Sequence, residues 1–157
     1  MKKRIVLFLI ISILAVIAIG CGQPSEEPQG NADEIKVMIR LKLKEDIGLL
    51  VIDYDVNGQT GGGGISNTDR SMLKRNSNDL VWDYDRAHLE QPADEAELRL
   101  QFTVVTKYYE PNYENNYPKK DMIPMEAISF QAAFGEVYYV TITGSMAEGY
   151  QAVLEQP

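Results

Sequence analysis

Cysteine occurs once in this chain of 157 residues, at Cys21, and histidine once, at His88. A single cysteine excludes an intrachain disulfide and any multi-cysteine metal site. A single histidine excludes a histidine cluster of the zinc type. His88 also lacks a nucleophile to activate, since no serine sits in a Gly-x-Ser-x-Gly elbow, and it reads as a surface residue. Positive charge is scarce as well: 15 Lys and Arg stand against 23 Asp and Glu, a net charge of -8. Such a chain repels phosphate backbones, which excludes nucleic-acid binding. The glycine run Gly61–Gly64 is followed by no Gly-Lys-Ser/Thr and opens no helix, so it is not a phosphate loop.

Long apolar runs are missing except at the start. Lys2, Lys3 and Arg4 precede Ile5–Ile19, which is apolar apart from Ser12. At about 15 residues the run falls short of the ~20 that a bilayer span needs. It has the form of a secretory signal segment ending in small residues. Its last residues, Ala18-Ile19-Gly20-Cys21, resemble the lipobox of bacterial lipoproteins, with Ala18 where leucine is commonest.

That resemblance implies cleavage after Gly20, thioether diacylglycerol on Cys21 and acylation (palmitate) of the new amino terminus. It covers residues 1–21 only. The implied location is the extracytoplasmic face of a cell membrane, with the membrane held through the lipid. Loss of Lys2, Lys3 and Arg4 takes Lys plus Arg from 15 to 12 against 23 acidic residues, or -11. So acidic a domain is repelled by anionic headgroups, which leaves the lipid as the anchor.

Residues 22–33, GQPSEEPQGNAD, have almost nothing to bury and read as a flexible tether. From residue 34 onward the pattern has period two. Ile35, Val37, Ile39, Leu41 and Leu43 alternate with mainly cationic residues, as in a strand with one wet face. Similar alternation marks residues 48–56, 80–84, 96–108, 127–134, 137–143 and 150–154. Asn57-Gly58 suits a tight turn, but the glycines after it suggest a longer, floppy connection. Pro92 limits residues 86–97 to a helical turn. About seven strands and no full helix predict an all-β, antiparallel β-sandwich of immunoglobulin-like type, with Trp82 as a core plug. The domains expected are 1–20 (signal peptide), 21–33 (lipidated Cys and tether) and 34–157 (sandwich).

Two clusters offer chemistry. Asp53-x-Asp55-x-Asn57-Gly58 resembles the opening of an EF-hand calcium loop, whose oxygens alternate before a glycine turn. The match ends there, because Gly64 stands where the bidentate glutamate belongs. Asp83 and Asp85 flank Tyr84 as Asp53 and Asp55 flank Tyr54, so four carboxylates would converge if the strands met at that face. The second cluster is Tyr108, Tyr109, Tyr113 and Tyr117, gathered with Asn112, Asn115 and Asn116. Rigid aromatic faces with polar tips suit recognition of a glycan or a peptide.

The expectation is therefore a non-catalytic, membrane-tethered domain that binds a protein or glycan partner and needs no cofactor. A carbohydrate- or calcium-dependent binding module is the alternative. A hydrolase using an unlocated carboxylate pair is the third reading, since acids abound but no spacing singles out a pair.

Overall fold

The computed structural model describes residues 30–108 and 118–155. Within them the alternating segments become β1 (Glu34–Leu43), β2 (Leu49–Val56), β3 (Gln59–Ile65), β4 (Leu80–Asp85) and β5 (Glu95–Val105). They are followed by β6 (Met122–Pro124), β7 (Ile128–Ala133), β8 (Val137–Ser145) and β9 (Gly149–Leu154). Arg86–His88 forms the short helical turn, a 3-10 turn capped by the Asp85 carboxylate, which accepts from Ala87 N–H at 2.8 Å.

The strands form two sheets. One has the order β4-β1-β8-β9; in the other, β3-β2-β5 continues into β6 and β7, which share the far edge of β5. The two sheets pack face to face as an all-β sandwich. Seven of the nine strands stand where the alternation placed them. The pairing is antiparallel with one exception, β1 with β8, which run parallel. The immunoglobulin-like expectation goes no further than the sandwich. In that arrangement the first strand lies at a sheet edge, whereas here β1 is central, paired on both sides.

Its composition suits the position. Ile35, Val37, Ile39 and Leu41 are fully buried and Leu43 is nearly so, each contributing roughly 1.5–3 kcal/mol by leaving water. They meet Leu50, Ile52, Leu98, Leu100 and Phe102 from the opposite sheet in one continuous core. Trp82 is not the plug of that core. It is only partly buried, because edge strand β4 places it at the open side of the sandwich, and Phe102 is the largest fully buried side chain.

The glycine segment is the clearest departure from expectation. Gly61–Gly64 is no floppy connection but the middle of β3, paired with β2 over seven positions from Val56↔Gln59 to Leu50↔Ile65. The turn between them is two residues long. Asn57 (φ 52°) and Gly58 (φ 87°) both take left-handed backbone angles, which a type I′ hairpin requires and which Asn-Gly supplies.

Two side chains close the sandwich at its ends. The Arg86 guanidinium donates to Ala93 O (3.1 Å), Asp94 Oδ1 (2.9 Å) and Ala32 O (3.1 Å), and lies 4.7 Å from the centre of the Phe134 ring. At the other end Glu45 Oε1 accepts from the Tyr150 hydroxyl (2.5 Å) and Met146 N–H (2.6 Å). Neither was foreseeable, since each joins residues far apart in the chain.

Candidate functional site

Period two decides what the two Asp-Tyr-Asp segments bring together. Along β2, Leu50, Ile52, Tyr54 and Val56 turn toward the opposite sheet, so Asp53 and Asp55 turn away from it. Along β4, Leu80, Trp82 and Tyr84 turn inward, and Asp83 and Asp85 are exposed on the other outer face. The four carboxylates therefore point to opposite sides of the molecule and do not converge. The tyrosines meet instead. Tyr54 and Tyr84 have ring centres 5.8 Å apart, edge to face, and Tyr54 lies 5.4 Å from Trp82.

Burial first, then the neighbouring Tyr54, raises the Tyr84 hydroxyl above the ordinary tyrosine value. The Gln59 amide closes this aromatic group. With its nitrogen turned toward the Tyr84 hydroxyl and His88 O (both 2.9 Å), its oxygen accepts from Glu90 N–H at 3.3 Å. His88 is exposed, its ring 5.7 Å from Tyr84.

Asp53, Asp55 and Asn57 are held by a straight strand and a two-residue turn rather than by a curled loop. Asp55 Oδ1 accepts from Gly58 N–H at 2.6 Å, and Asn57 Oδ1 accepts from Glu97 N–H at 2.8 Å. Two of the three candidate ligands thus have an oxygen engaged in fixing the hairpin. Asp53 stays open to solvent beside Gly62. Asp53, Asp55, Thr60 and Arg99 line a shallow depression of about 330 Å³ on the outer face, floored in part by Gly61. Among the described residues no three acidic, histidine or cysteine side chains gather as a metal would require.

The tyrosine cluster is only partly in view. Tyr108 is half-buried, and Tyr109, Tyr113 and Tyr117 lie outside the described residues, as does Cys21 with the whole of residues 1–29. The base of the loop is well defined. Thr106 N–H donates to Asp121 O at 2.9 Å, Lys107 Nζ lies 3.9 Å from Asp121 Oδ1, and the Asp121 side chain is buried.

Register places this base in the molecule. Leu49 pairs with Val105 and Val105 with Met122, at the end of the sandwich where β1 finishes. Glu34 pairs with Asp85 at the opposite end. There Asn31–Asp33 meet Arg86, and Gly135 N–H donates to Glu34 O at 2.8 Å. A strand of ten residues at ~3.3 Å each separates the two ends by about 30 Å.

No family model matches the chain, and no curated protein does. Among solved structures, a Gram-negative toxin aligns at 10% identity with a TM-score of 0.33, over 78% of this chain and 22% of the toxin. A non-hemolytic pneumolysin from Streptococcus pneumoniae and another pneumolysin structure align at 9% identity and TM-score 0.32, over 82% of this chain and 24% of theirs. The chain thus spans less than a quarter of each of these proteins. Likeness at this level carries no argument about activity.

Proposed function

We propose that this protein is a lipid-anchored, extracytoplasmic binding protein. In this reading Cys21 carries the lipid, residues 22–33 are the tether, and the β-sandwich presents a non-catalytic recognition surface to a protein or glycan of the cell envelope. The observation that carries it is polarity. The chain joins the sandwich at the Asn31–Asp33 end, while the base of the tyrosine loop, Thr106 with Asp121, is at the other. A lipid on Cys21 would therefore leave Tyr108 and the base of the tyrosine loop at the end of the sandwich away from the membrane. Tethering raises the effective concentration of the loop for anything confined to the same envelope.

Expression of the full chain beside Cys21→Ser in a bacterial host tests the anchor. Wild type is expected in the membrane fraction, with an amino-terminal peptide that begins at a diacylglycerol-bearing Cys21; Cys21→Ser is expected to lack the lipid. An unmodified, uncleaved amino terminus in wild type rejects the anchor. For the recognition surface, a photo-crosslinking residue at Tyr113 is expected to capture an envelope partner that the same residue at Asp94, at the membrane end, does not. Equal capture from both positions rejects the loop as the site.

A further inference from the structure

Each sheet of an open sandwich ends in strands with unpaired peptide groups, and proteins ordinarily blunt such edges with charge, proline or bulges. Three of the four edges here are blunted. β4 carries Asp83 and Asp85, β9 lies between Glu148 and Glu155, and the β6–β7 side is broken at Pro124. β3 has none of these devices. Residues 59–68, QTGGGGISNT, contain no charge and no proline, and the seven-position register with β2 has no bulge.

The hairpin register also fixes which peptide groups are free. In a two-residue hairpin the residues flanking the turn form a hydrogen-bonded pair, and such pairs alternate along the ladder. Gln59, Gly61, Gly63 and Ile65 thus bond to β2, and Thr60, Gly62 and Gly64 turn their peptide groups outward. All three are exposed.

The surroundings select the occupant. On the outer flank Gly62 pairs with Asp53 and Thr60 with Asp55. Asp53 makes no hydrogen bond or ion pair among the described residues. Gly62 raises no side chain between that carboxylate and the edge. A strand added at β3 would lie two strand spacings from β2, about 9–10 Å, a gap that an extended lysine or arginine and an aspartate close between them. On the inner flank a Cβ built at Gly63 meets nothing within 4 Å, which leaves room for the alternate residues of an added strand. The net charge of -8 favours a cationic partner and opposes a second copy of the chain.

We propose that the β3 edge is a strand-addition site for an extended polypeptide segment with lysine or arginine at every second position. Its main chain pairs with Thr60, Gly62 and Gly64, and its cations reach Asp53 and Asp55. The site shares no residue with the tyrosine loop and does not need the lipid.

The test uses the full chain in detergent and a labelled nine-residue peptide of alternating lysine and valine. The control replaces each lysine by glutamate. Saturable binding of the lysine peptide is expected, at least tenfold tighter than its control, with amide shifts centred on Thr60, Gly62 and Gly64. Asp53→Asn with Asp55→Asn should weaken it at least fivefold. Gly62→Pro, which removes an outward N–H and no bond to β2, should abolish it. Tyr113→Ala with Tyr117→Ala should leave it unchanged. Circular dichroism checks that each variant is folded; should Gly62→Pro unfold, the shift map and the aspartate variant decide. Absent or charge-blind binding, or shifts centred elsewhere, overturns the proposal. So does a dimer of the chain that occupies the edge and blocks the peptide. Loss of binding in the tyrosine variant would reassign the peptide to the loop.

Discussion

β1 and β3 are both regular strands, and almost nothing else about them is alike. β1 lies at the centre of its sheet with five buried aliphatic side chains. A slip of one residue would turn all five into water, so its side chains set its register. β3 is an edge strand with four consecutive glycines and no fully buried side chain. Its register comes from Asn57 and Gly58, whose left-handed angles close a two-residue turn and start the ladder at Val56↔Gln59. One strand is specified by burial, the other by the turn before it.

Substitutions can break or sharpen this contrast. The largest effect is expected in β1, where Leu41→Ala leaves a cavity in a fully buried position and costs about 2–5 kcal/mol. Denaturant unfolding measures it, and a cost below ~1 kcal/mol would mean that β1 is not held by burial.

Gly61→Val comes next. Valine favours strands in general, but a Cβ at Gly61 overlaps the Tyr54 ring, which lies against Trp82 and Tyr84. Overpacking of this kind costs about 1–3 kcal/mol, whereas a stabilised variant would show that the ring does not lie under Gly61.

Asn57→Ala tests the turn itself. It places alanine at φ 52° and removes the acceptor of Glu97 N–H, for a loss of about 1–2 kcal/mol. Loss of the Val56↔Gln59 cross-strand contact in NMR spectra should accompany it. If the register survives with unchanged stability, β3 is held by something other than its turn.

The smallest effect has the opposite sign. Gly63→Thr adds a side chain where nothing lies within 4 Å and lowers the entropy lost by glycine on folding, for a gain of about 0.5–1 kcal/mol. A loss instead would mean that this inner flank of β3 is already filled. Neighbouring glycines two residues apart thus predict opposite outcomes, which thermal melts of Gly61→Val and Gly63→Thr compare directly.

The seven alternating segments were legible because period two is a local property of the chain. β3 was not, because alternation is carried by side chains and glycine has none. The available signal was Asn57-Gly58, which by itself marks a tight hairpin and outweighs the glycines that follow. β6, at three residues ending in Pro124, is too short to show a period. Leu73 illustrates the same limit from the other side. In a polar stretch it is nearly fully buried, because its N–H and carbonyl pair with Ile47 at 2.8 and 3.1 Å. The two Asp-Tyr-Asp segments do come together, but through Tyr54 and Tyr84, while alternation keeps their aspartates in solvent. Inward tyrosines require outward aspartates, and opposite sheets turn those aspartates to opposite sides.

The spacing of apolar residues alone carries the position of seven of the nine strands and which side of each is wet. The sequence also carries the basic, apolar and Ala18-Ile19-Gly20-Cys21 pattern on which the anchor proposal rests. The parallel pairing of β1 with β8, and the placement of the base of the tyrosine loop opposite the start of the sandwich, came only with the tertiary structure. That structure alone decided that Arg86 and Glu45 close the two ends, and that β3 is left as a bare edge. Those outcomes depend on which strands pair across long stretches of chain. Such pairings are selected by the packing of two whole sheets, and no local pattern encodes them.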